Sequence, residues 1–481
     1  MKIAITSDMF YPTLNGVSVF SRNLAVGLAK RGHNVIVIAP SQTGVAYEEI
    51  DNGDVVKPVT SKTGTPKGHY RIYRLKAKPF PFYRNQTDEY VAKELTKESG
   101  DPVKWREVLK SVKDYLPKVY EKGFMVSVAP AKEMVEILDK FGPDVLHNQQ
   151  EMMIGNYVST YGHKNNIPVM TTNHIMPDNV INNIKMPKLV GKTMISAGNA
   201  MTRSFLERFD FVTMPTQLAI DGLFDWHHPA KMPMQAISNG IDLKLFHAAA
   251  PDRALLQKYG FSTTDKIITF VGRFDKEKHI PILMEAFSKL RKNIDSKLLL
   301  IGDGDELYNL QELAKELGID KKTVFIGRVS RKELAALHRL STVFVMPSPA
   351  ELQSIATLEA MASGKPIVVV DAGALPELVN GNGFIVPTDD VAEMAKAIQK
   401  ILNDDDLRLR FALQSLNIAR THEISRTIDQ FEVIYRDLVK RRRRRGWAYI
   451  TIGSAGLAIG GLLMAIGGGV NKTKKVAKKK R

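Results

Sequence analysis

The stretch VFVMPSPAELQSIATLE, residues 343–359, holds a strand, a sharp turn and the start of a helix in that order. Residues 343–346 form a short apolar run that predicts a buried strand, and the Pro-Ser-Pro that follows ends it. We expect Glu351 in the loop, a helix that begins near Ser354, and Glu359 over a turn inside that helix. The stretch therefore predicts one strand–loop–helix unit of an α/β protein.

The same alternation of strand and helix continues on both sides of this unit. In the second half of the chain, further strands are predicted at residues 266–271, 296–301, 323–326 and 366–370, with helices at 282–292 and 306–317. In the first half, strands are predicted at residues 2–7, 35–39, 144–147 and 168–172, with a helix at 17–31. The connections are long enough for crossover helices, so we expect parallel sheets.

A chain of 481 residues is too long for one ordinary core. We predict two doubly wound, Rossmann-like domains that face a cleft, at residues 1–236 and 237–438, with a linker near 237–245 that contains Asn239-Gly240. Residues 439–481 form a third segment of different composition. The absence of cysteine excludes disulfides and thiolate metal sites.

The charge of the chain is concentrated in that third segment. Residues 440–481 carry 13 positive charges and no Asp or Glu, out of a net charge of +17. Between two basic clusters, residues 446–470 carry no charge, and as a helix they would extend roughly 37 Å, enough to cross a bilayer core. We predict a membrane anchor there. A monotopic or hairpin insertion stays open, whereas a nucleic-acid-binding tail would not need the apolar segment.

Residues 102–124 allow two interpretations. Apolar residues near helical spacing are surrounded by Lys and Arg, which suits a helix lying on a membrane surface. An ordinary surface helix with a solvated basic face fits the same pattern equally well. The sequence leaves this choice open.

Ligands of doubly wound folds bind beyond the carboxyl ends of the strands, where four clusters of this sequence fall. Gly16 opens the helix after the first strand and leaves room for a diphosphate at a positive helix end. Arg273 and Lys278 follow the strand at 266–271 and are able to clamp a diphosphate as it leaves. Taken separately, a turn glycine and two solvated cations explain these residues as well.

The other two clusters contain carboxylates, amides and a histidine. A carboxylate such as Glu351 or Glu359 accepts hydrogen bonds from a ribose diol or a sugar. The backbone amides of Leu352, Gln353 and Ser354 would point into the cleft beside Glu351, and His174 would face the same cleft from the first domain. A surface Glu and a structural His are the plain alternatives when each residue is considered alone.

Together these clusters resemble glycosyltransferase family 4, the retaining enzymes with the two-Rossmann GT-B architecture. The resemblance spans residues 1–438 and rests on the following motifs: NGV at 15–17, TNHIMP at 172–177, SNGID at 238–242, VGRFDKEK at 271–278, and the Glu351/Glu359 pair with seven residues between them. Each motif is common by itself, whereas the set in this order is specific.

The resemblance implies a role for each residue. It places Gly16, Arg273 and Lys278 at the donor diphosphate, and Glu359 at the ribose. It further implies that Glu351 and the amides of residues 352–354 hold the transferred sugar. The remaining implied contacts are His174 beside that sugar on the acceptor side, Val329 (after Arg328) at the base, and a last helix near 424–438 that crosses back to the first domain.

Within the family, TNHIMPDN and the membrane-associated form resemble enzymes that glycosylate diacylglycerol. We therefore expect a hexose to pass from a nucleotide sugar to a membrane lipid with an α-linkage, on the cytoplasmic face of the cell membrane. We expect a single C-terminal anchor on an anionic surface, no nucleic-acid partner, no cofactor and no required metal. Three alternatives are a phosphoinositol acceptor, a polyprenol-linked acceptor, and a catalytically silent, membrane-tethered scaffold.

Overall fold

The computed structural model describes residues 1–11, 15–41, 43–53, 56–59, 65–79, 125–127, 131–149, 153–177, 188–290 and 295–442. The predicted membrane anchor at 446–470 and the basic segment at 102–124 lie outside these residues. Within the described ranges, no helix combines the length and the hydrophobicity needed to span a bilayer.

The first half of the chain builds a nine-stranded sheet in the order β11-β10-β9-β8-β1-β2-β5-β3-β4. A separate strand pair is formed by β6 and β7. The strands are β1 (Lys2–Ser7), β2 (Asn34–Pro40), β3 (Tyr47–Asp51), β4 (Val56–Pro58), β5 (Tyr70–Leu75), β6 (Lys78–Pro79), β7 (Met125–Val126), β8 (Val145–Gln149), β9 (Val169–Thr172), β10 (Phe211–Met214) and β11 (Met234–Ala236).

The prediction of a parallel sheet is wrong at one edge of this first sheet. There β3 pairs antiparallel with both β4 and β5, while the strands from β11 to β5 pair parallel. The link between β3 and β4 is too short for a crossover helix, and a short link joins strands only in the antiparallel sense.

Helices cover both faces of this sheet. They are α1 (Gly16–Lys30), α2 (Ala131–Phe141), α3 (Met153–Lys164), α4 (Lys188–Leu206) and α5 (Gln217–Leu223). One buried cluster joins α1 to β1, β2 and residues 428–438. A second cluster packs the helices α2, α3, α4 and α5 on the opposite face of the sheet. The two clusters bury β1 and β2 on both sides, which is why these two strands are nearly continuous apolar runs.

The second half builds a six-stranded, fully parallel sheet in the order β14-β13-β12-β15-β16-β17. Its strands are β12 (Lys266–Val271), β13 (Ser296–Ile301), β14 (Thr323–Ile326), β15 (Val343–Met346), β16 (Ile367–Val370) and β17 (Gly383–Val386). Its helices are α6 (Arg253–Lys258), α7 (Ile280–Leu290), α8 (Leu307–Glu316), α9 (Arg331–Leu340), α10 (Ile355–Ala362), α11 (Val391–Asn403) and α12 (Asp405–Thr421).

A final helix, α13 (residues 424–442), leaves the second sheet and packs on the first. Its Phe431 and Tyr435 are fully buried beside Phe20 of α1. Replacing a buried aromatic residue of this kind by Ala typically destabilises a protein by about 3–5 kcal/mol. The helix α13 is therefore part of the core of the first half.

The chain crosses between the two halves twice, and the crossings touch. Ile241 of the linker pairs with Glu423, just before α13. Gly240 has φ +76, and a Cβ there would lie 2.7 Å from the Ile424 and Thr427 side chains. Only glycine fits both the backbone conformation and this close approach.

Candidate active site in the cleft

The carboxyl end of β12 carries a loop that lies against the loop after β13. Glycines make the approach possible, since a Cβ on Gly302 would lie 1.8 Å from the Gly272 carbonyl oxygen. A Cβ on Gly304 would lie 2.6 Å from the Phe274 oxygen. Sequence analysis missed this pair of glycines, although Gly-Asp-Gly directly after a predicted strand was a usable signal.

Beyond β12, a 3₁₀ turn at Lys276–Lys278 places a compact group of opposite charges. Arg273 Nη2 lies 2.7 Å from Glu277 Oε1, and the other guanidinium nitrogen pairs with Asp275. Lys278 Nζ lies 2.8 Å from Glu351 Oε1, which comes from a loop 73 positions away. The structure therefore brings together three of the predicted site residues.

Electrostatics keep Lys278 charged. Burial opposes the ammonium form, but the carboxylates of Glu351 and Glu277 outweigh it, and the pKa of Lys278 is raised. Burial raises the pKa of Asp275, although the charge of Arg273 opposes that rise. A cation held in a desolvated place binds an anion more strongly than a solvated one, since screening by water is reduced.

The loop after β15, residues 351–354, is held from outside. The backbone carbonyl oxygen of Glu351 accepts from the Ala374 amide at 2.9 Å, and that of Leu352 accepts from Thr216 Oγ1 at 3.2 Å. Gln353 Oε1 accepts from the Asn239 amide at 2.7 Å. All three bonds use oxygen atoms of the loop as acceptors and none uses its backbone N–H groups.

The backbone amides of this loop donate no hydrogen bond to any residue that the structure describes. Within the described residues, the N–H groups of Leu352, Gln353 and Ser354 donate no hydrogen bond. Ser354 is the N-cap of α10, and its side chain accepts from the Thr357 amide. Free amides at a helix N-terminus bind phosphate or hydroxyl oxygens of a ligand.

Glu359 lies in α10 and is 6% exposed. Its Oε2 is 3.8 Å from Nε2 of His338, a distance too long for a hydrogen bond. Val329, three residues beyond the end of the edge strand β14, is half-buried against the core of the second half. Its neighbour Arg328 is half-exposed, with Nε 3.7 Å from Asp303.

On the opposite side of the cleft, α1 begins at Gly16 with a capping box. Asn15 accepts from the Ser18 amide, and Ser18 Oγ accepts from the Asn15 amide. Gly16 is exposed, and a Cβ there would meet no atom within 4 Å. The first turn of α1 therefore presents an open, positive helix end.

His174 follows β9 at the same edge of the first sheet. Its ring lies 4.9 Å from that of Phe20, and its Nε2 is 3.1 Å from Gln149 Oε1. Because an amide oxygen only accepts, this contact requires a proton on Nε2. Desolvation lowers the pKa of His174 to about 3, so the ring is neutral near pH 7.

A buried hydrogen-bond chain runs beneath His174. His147 Nδ1 lies 2.6 Å from the Tyr435 hydroxyl of α13, and its Nε2 lies 2.7 Å from Thr172 Oγ1. Burial, and then the proximity of His174, lower the pKa of His147 to about 3. Sequence analysis missed Gln149 and Tyr435, which no local motif marks.

The two edges meet across the cleft. Thr216, which follows β10, donates to Leu352, and Arg331 Nη1 of α9 donates to Asn23 Oδ1 of α1 at 2.9 Å. The amides of the loop after β15 therefore lie beside the carboxyl edge of the first sheet. Among the described residues, no cluster of three or more His, Asp or Glu side chains is placed to hold a metal ion.

Two family models match the chain. The model described as "Glycosyltransferase Family 4" matches residues 89–245, and the model described as "Glycosyl transferases group 1" matches residues 252–415. The second match contains Arg273, Lys278, Glu351 and Glu359. The resemblance stated from the motifs is confirmed.

Two curated relatives match over most of their length. The chain is 24% identical over 390 residues to alpha-monoglucosyldiacylglycerol synthase of Streptococcus pneumoniae, covering 80% of this chain and 74% of that protein. It is 26% identical over 319 residues to N-acetyl-alpha-D-glucosaminyl L-malate synthase of Bacillus anthracis, covering 65% of this chain and 80% of that protein.

Solved structures share the whole architecture. The Anabaena protein HepE in complex with UDP-glucose superposes with a TM-score of 0.63 at 15% sequence identity, covering 91% of this chain and all of that chain. At this identity the likeness concerns the fold alone. It identifies the two facing α/β halves as the GT-B fold.

Proposed function

We propose that this chain, which belongs to glycosyltransferase family 4 and has its GT-B fold, transfers a hexose to a membrane lipid such as diacylglycerol. The donor is a nucleotide sugar, and the product is an α-linked glycolipid. The observation that carries the donor half is the contact of Lys278 with Glu351 beside three backbone amides that donate no hydrogen bond within the described residues.

The donor binds along the edge of the second sheet. Arg273, Lys278 and the helix end at Gly16 offset the charge of the diphosphate, and Glu359 accepts from the ribose hydroxyls. Val329 contacts the base of the nucleotide. UDP-glucose is the first donor to test, because the Streptococcus relative is named as the synthase of a monoglucosyl lipid and the Anabaena structure contains UDP-glucose.

Transfer proceeds on one face of the sugar. The bond between the anomeric carbon and the diphosphate oxygen breaks as the acceptor oxygen bonds to the same face, which retains the α configuration. The acceptor proton passes to the departing diphosphate, which serves as base. Arg273 and Lys278 stabilise the charge on that leaving group, where electrostatic stabilisation contributes most to the rate.

The acceptor side supplies neutral contacts. His174 is neutral, and its Nδ1 has no partner within the described part of the chain, so it accepts from a sugar or acceptor hydroxyl. This suits an uncharged alcohol. The lipid acceptor is supported by the name of the Streptococcus relative, and the basic segment at 440–481 suits attachment to an anionic cytoplasmic surface.

The test is transfer in the presence of a defined acceptor. Full-length protein is incubated with UDP-glucose, other nucleotide sugars, and vesicles of anionic lipid with or without diacylglycerol. We expect a hexosyl-diacylglycerol by mass and an α-anomer by the proton coupling constant. A product only with a phosphoinositol or polyprenol-linked acceptor would replace the acceptor, and no donor consumption would favour a silent scaffold.

The membrane segment is tested separately. The cut belongs after Arg442, because α13 continues to that residue and Arg442 pairs with Asp210 at 3.2 Å. We expect full-length protein to stay with membranes in 1 M salt, where the Debye length is about 3 Å, and the truncated protein to be released. Release of both forms by salt would leave only electrostatic attachment.

A further inference from the structure

We infer that Gln353 is a positioning residue, whose side chain anchors the loop at residues 351–354 to the interdomain linker and so fixes the amides that hold the donor sugar. The inference rests on the proposed function, and it adds a residue whose side chain acts away from the substrate. It concerns the sugar half of the donor and not the nucleotide half.

The anchor is a pair of hydrogen bonds. Gln353 Oε1 accepts from the Asn239 backbone amide at 2.7 Å and lies 3.2 Å from the Ser238 hydroxyl. Gln353 is 8% exposed. Both bonds use the amide oxygen as acceptor, so the side chain is directed to the linker and not to the loop's own backbone.

The linker is itself held in place at Ser238, one of the two residues that Gln353 contacts. His422 Nδ1 lies 2.8 Å from the Ser238 hydroxyl, and Thr427 Oγ1 donates to the backbone carbonyl oxygen of Ser238 at 2.9 Å. His422 and Thr427 belong to the second crossing between the halves. Gln353 therefore fastens the loop to the point where both crossings meet.

Within the described residues, other bonds hold Glu351, Leu352 and Ser354 of the loop but not Gln353. The Ala374 amide holds the Glu351 oxygen, Thr216 holds the Leu352 oxygen, and Ser354 caps α10. Without its side chain, Gln353 loses the only side-chain hydrogen bonds that it makes within the described residues.

The nucleotide has separate supports. Arg273 and Lys278 follow β12, Glu359 lies inside α10, and none of the three is hydrogen-bonded to the Gln353 side chain. Loss of the anchor should therefore weaken binding of the sugar portion alone. The measurable quantity is the ratio of the affinity for UDP-glucose to the affinity for UDP.

The test compares two substitutions in the full-length protein. Gln353→Met keeps the length but removes the acceptor, whereas Gln353→Glu keeps an acceptor oxygen. With calorimetry we expect Gln353→Met to lower the UDP-glucose to UDP affinity ratio about tenfold, and Gln353→Glu to change it less than about threefold. The Asn239 amide should exchange with solvent faster in Gln353→Met than in the wild type.

Each outcome decides the inference. An unchanged ratio in Gln353→Met, or an equal loss of both affinities, would overturn it, because an effect on the fold alone reduces both. If Gln353→Met does not melt cooperatively, Ser238→Ala takes its place, since it removes one of the two donors. We then expect a loss in the ratio of about threefold, and no loss would overturn the inference.

Failure of the proposed donor gives a different pattern. If wild-type protein binds neither UDP nor UDP-glucose, nor any other pair of nucleotide and nucleotide sugar, the donor assignment fails. Exchange of the Asn239 amide then still tests the anchor. Equal exchange rates in wild type and Gln353→Met would overturn it.

Discussion

The edge of the first sheet and the edge of the second sheet face each other across the cleft, yet they differ in charge. The second edge concentrates ions, since Arg273 pairs with Asp275 and Glu277, and Lys278 pairs with Glu351. The first edge holds neutral groups, with two histidines whose pKa values burial lowers to about 3. An anionic diphosphate suits the ionic edge of the second sheet, and an uncharged alcohol suits the neutral edge of the first sheet.

The difference has a structural cause. The ionic edge comes from loops held by their own backbone, such as the close approach of Gly302 to Gly272. The neutral edge is a hydrogen-bond chain through the sheet, from Tyr435 through His147 to Thr172. One edge has charge density that a ligand neutralises, and the other has fixed donors and acceptors.

The largest effect is expected at the ionic edge. Arg273→Ala and Lys278→Ala should each lower kcat/KM by on the order of 10² or more, because charge stabilisation of the leaving group is lost. Steady-state kinetics with the nucleotide sugar measures this. Lys276→Ala, an exposed lysine in the same turn, is the control and should be close to wild type. Near-normal rates in both test variants would remove them from the mechanism.

The two glutamates should divide binding from turnover, with effects on the order of 10-fold to 10²-fold. Glu359→Ala should weaken affinity for the free nucleotide diphosphate. Glu351→Ala should lower kcat more than that affinity, and its loss should not add to that of Lys278→Ala, since the two side chains are 2.8 Å apart. Opposite phenotypes would reverse the assignment of the ribose and sugar ends.

At the neutral edge, His174→Ala should lower kcat about tenfold and leave nucleotide affinity unchanged. Because the pKa of His174 is lowered to about 3, the ring should not change charge between pH 5 and 8. The wild-type pH–rate profile should therefore show no inflection that is absent from His174→Ala. An inflection near pH 6.5 that disappears in the variant would show a titrating histidine and break the contrast between the edges.

The smallest effect is expected at Asp8, a buried carboxyl directly after β1. Burial raises its pKa to about 7, although the Ile154 amide opposes the rise. A carboxyl with a raised pKa contributes stability below its ordinary value near 3.8, and that stability is lost as pH increases through about 7.

Asp8→Asn should therefore raise the free energy of unfolding by about 1 kcal/mol or more at pH 8, with the gain shrinking toward pH 4. Denaturant melts at the two pH values measure it. Asp295→Asn, at a carboxyl that is 91% exposed, is the control. A gain that is equal at both pH values would mean that ionisation is not its cause.

The sequence alone specified the repeating units of the fold. Runs of β-branched and aliphatic residues marked β12, β13, β14 and β15 at the bounds that the structure has, because strands buried on both faces leave a continuous apolar signal. The edge strands β3 and β4 gave no such signal and were not predicted. Their half-exposed, polar residues do not distinguish a strand from a loop.

The ionic edge was readable from local motifs because Arg273 and Lys278 belong to one turn and the glutamates lie on one loop and helix. Tertiary structure alone decided the long-range contacts. These are Lys278 with Glu351, His147 with Tyr435 across 288 positions, and Gln353 with the linker. A side chain's type limits what it can bind, but only the packing of distant segments determines which partner it meets, and at what distance.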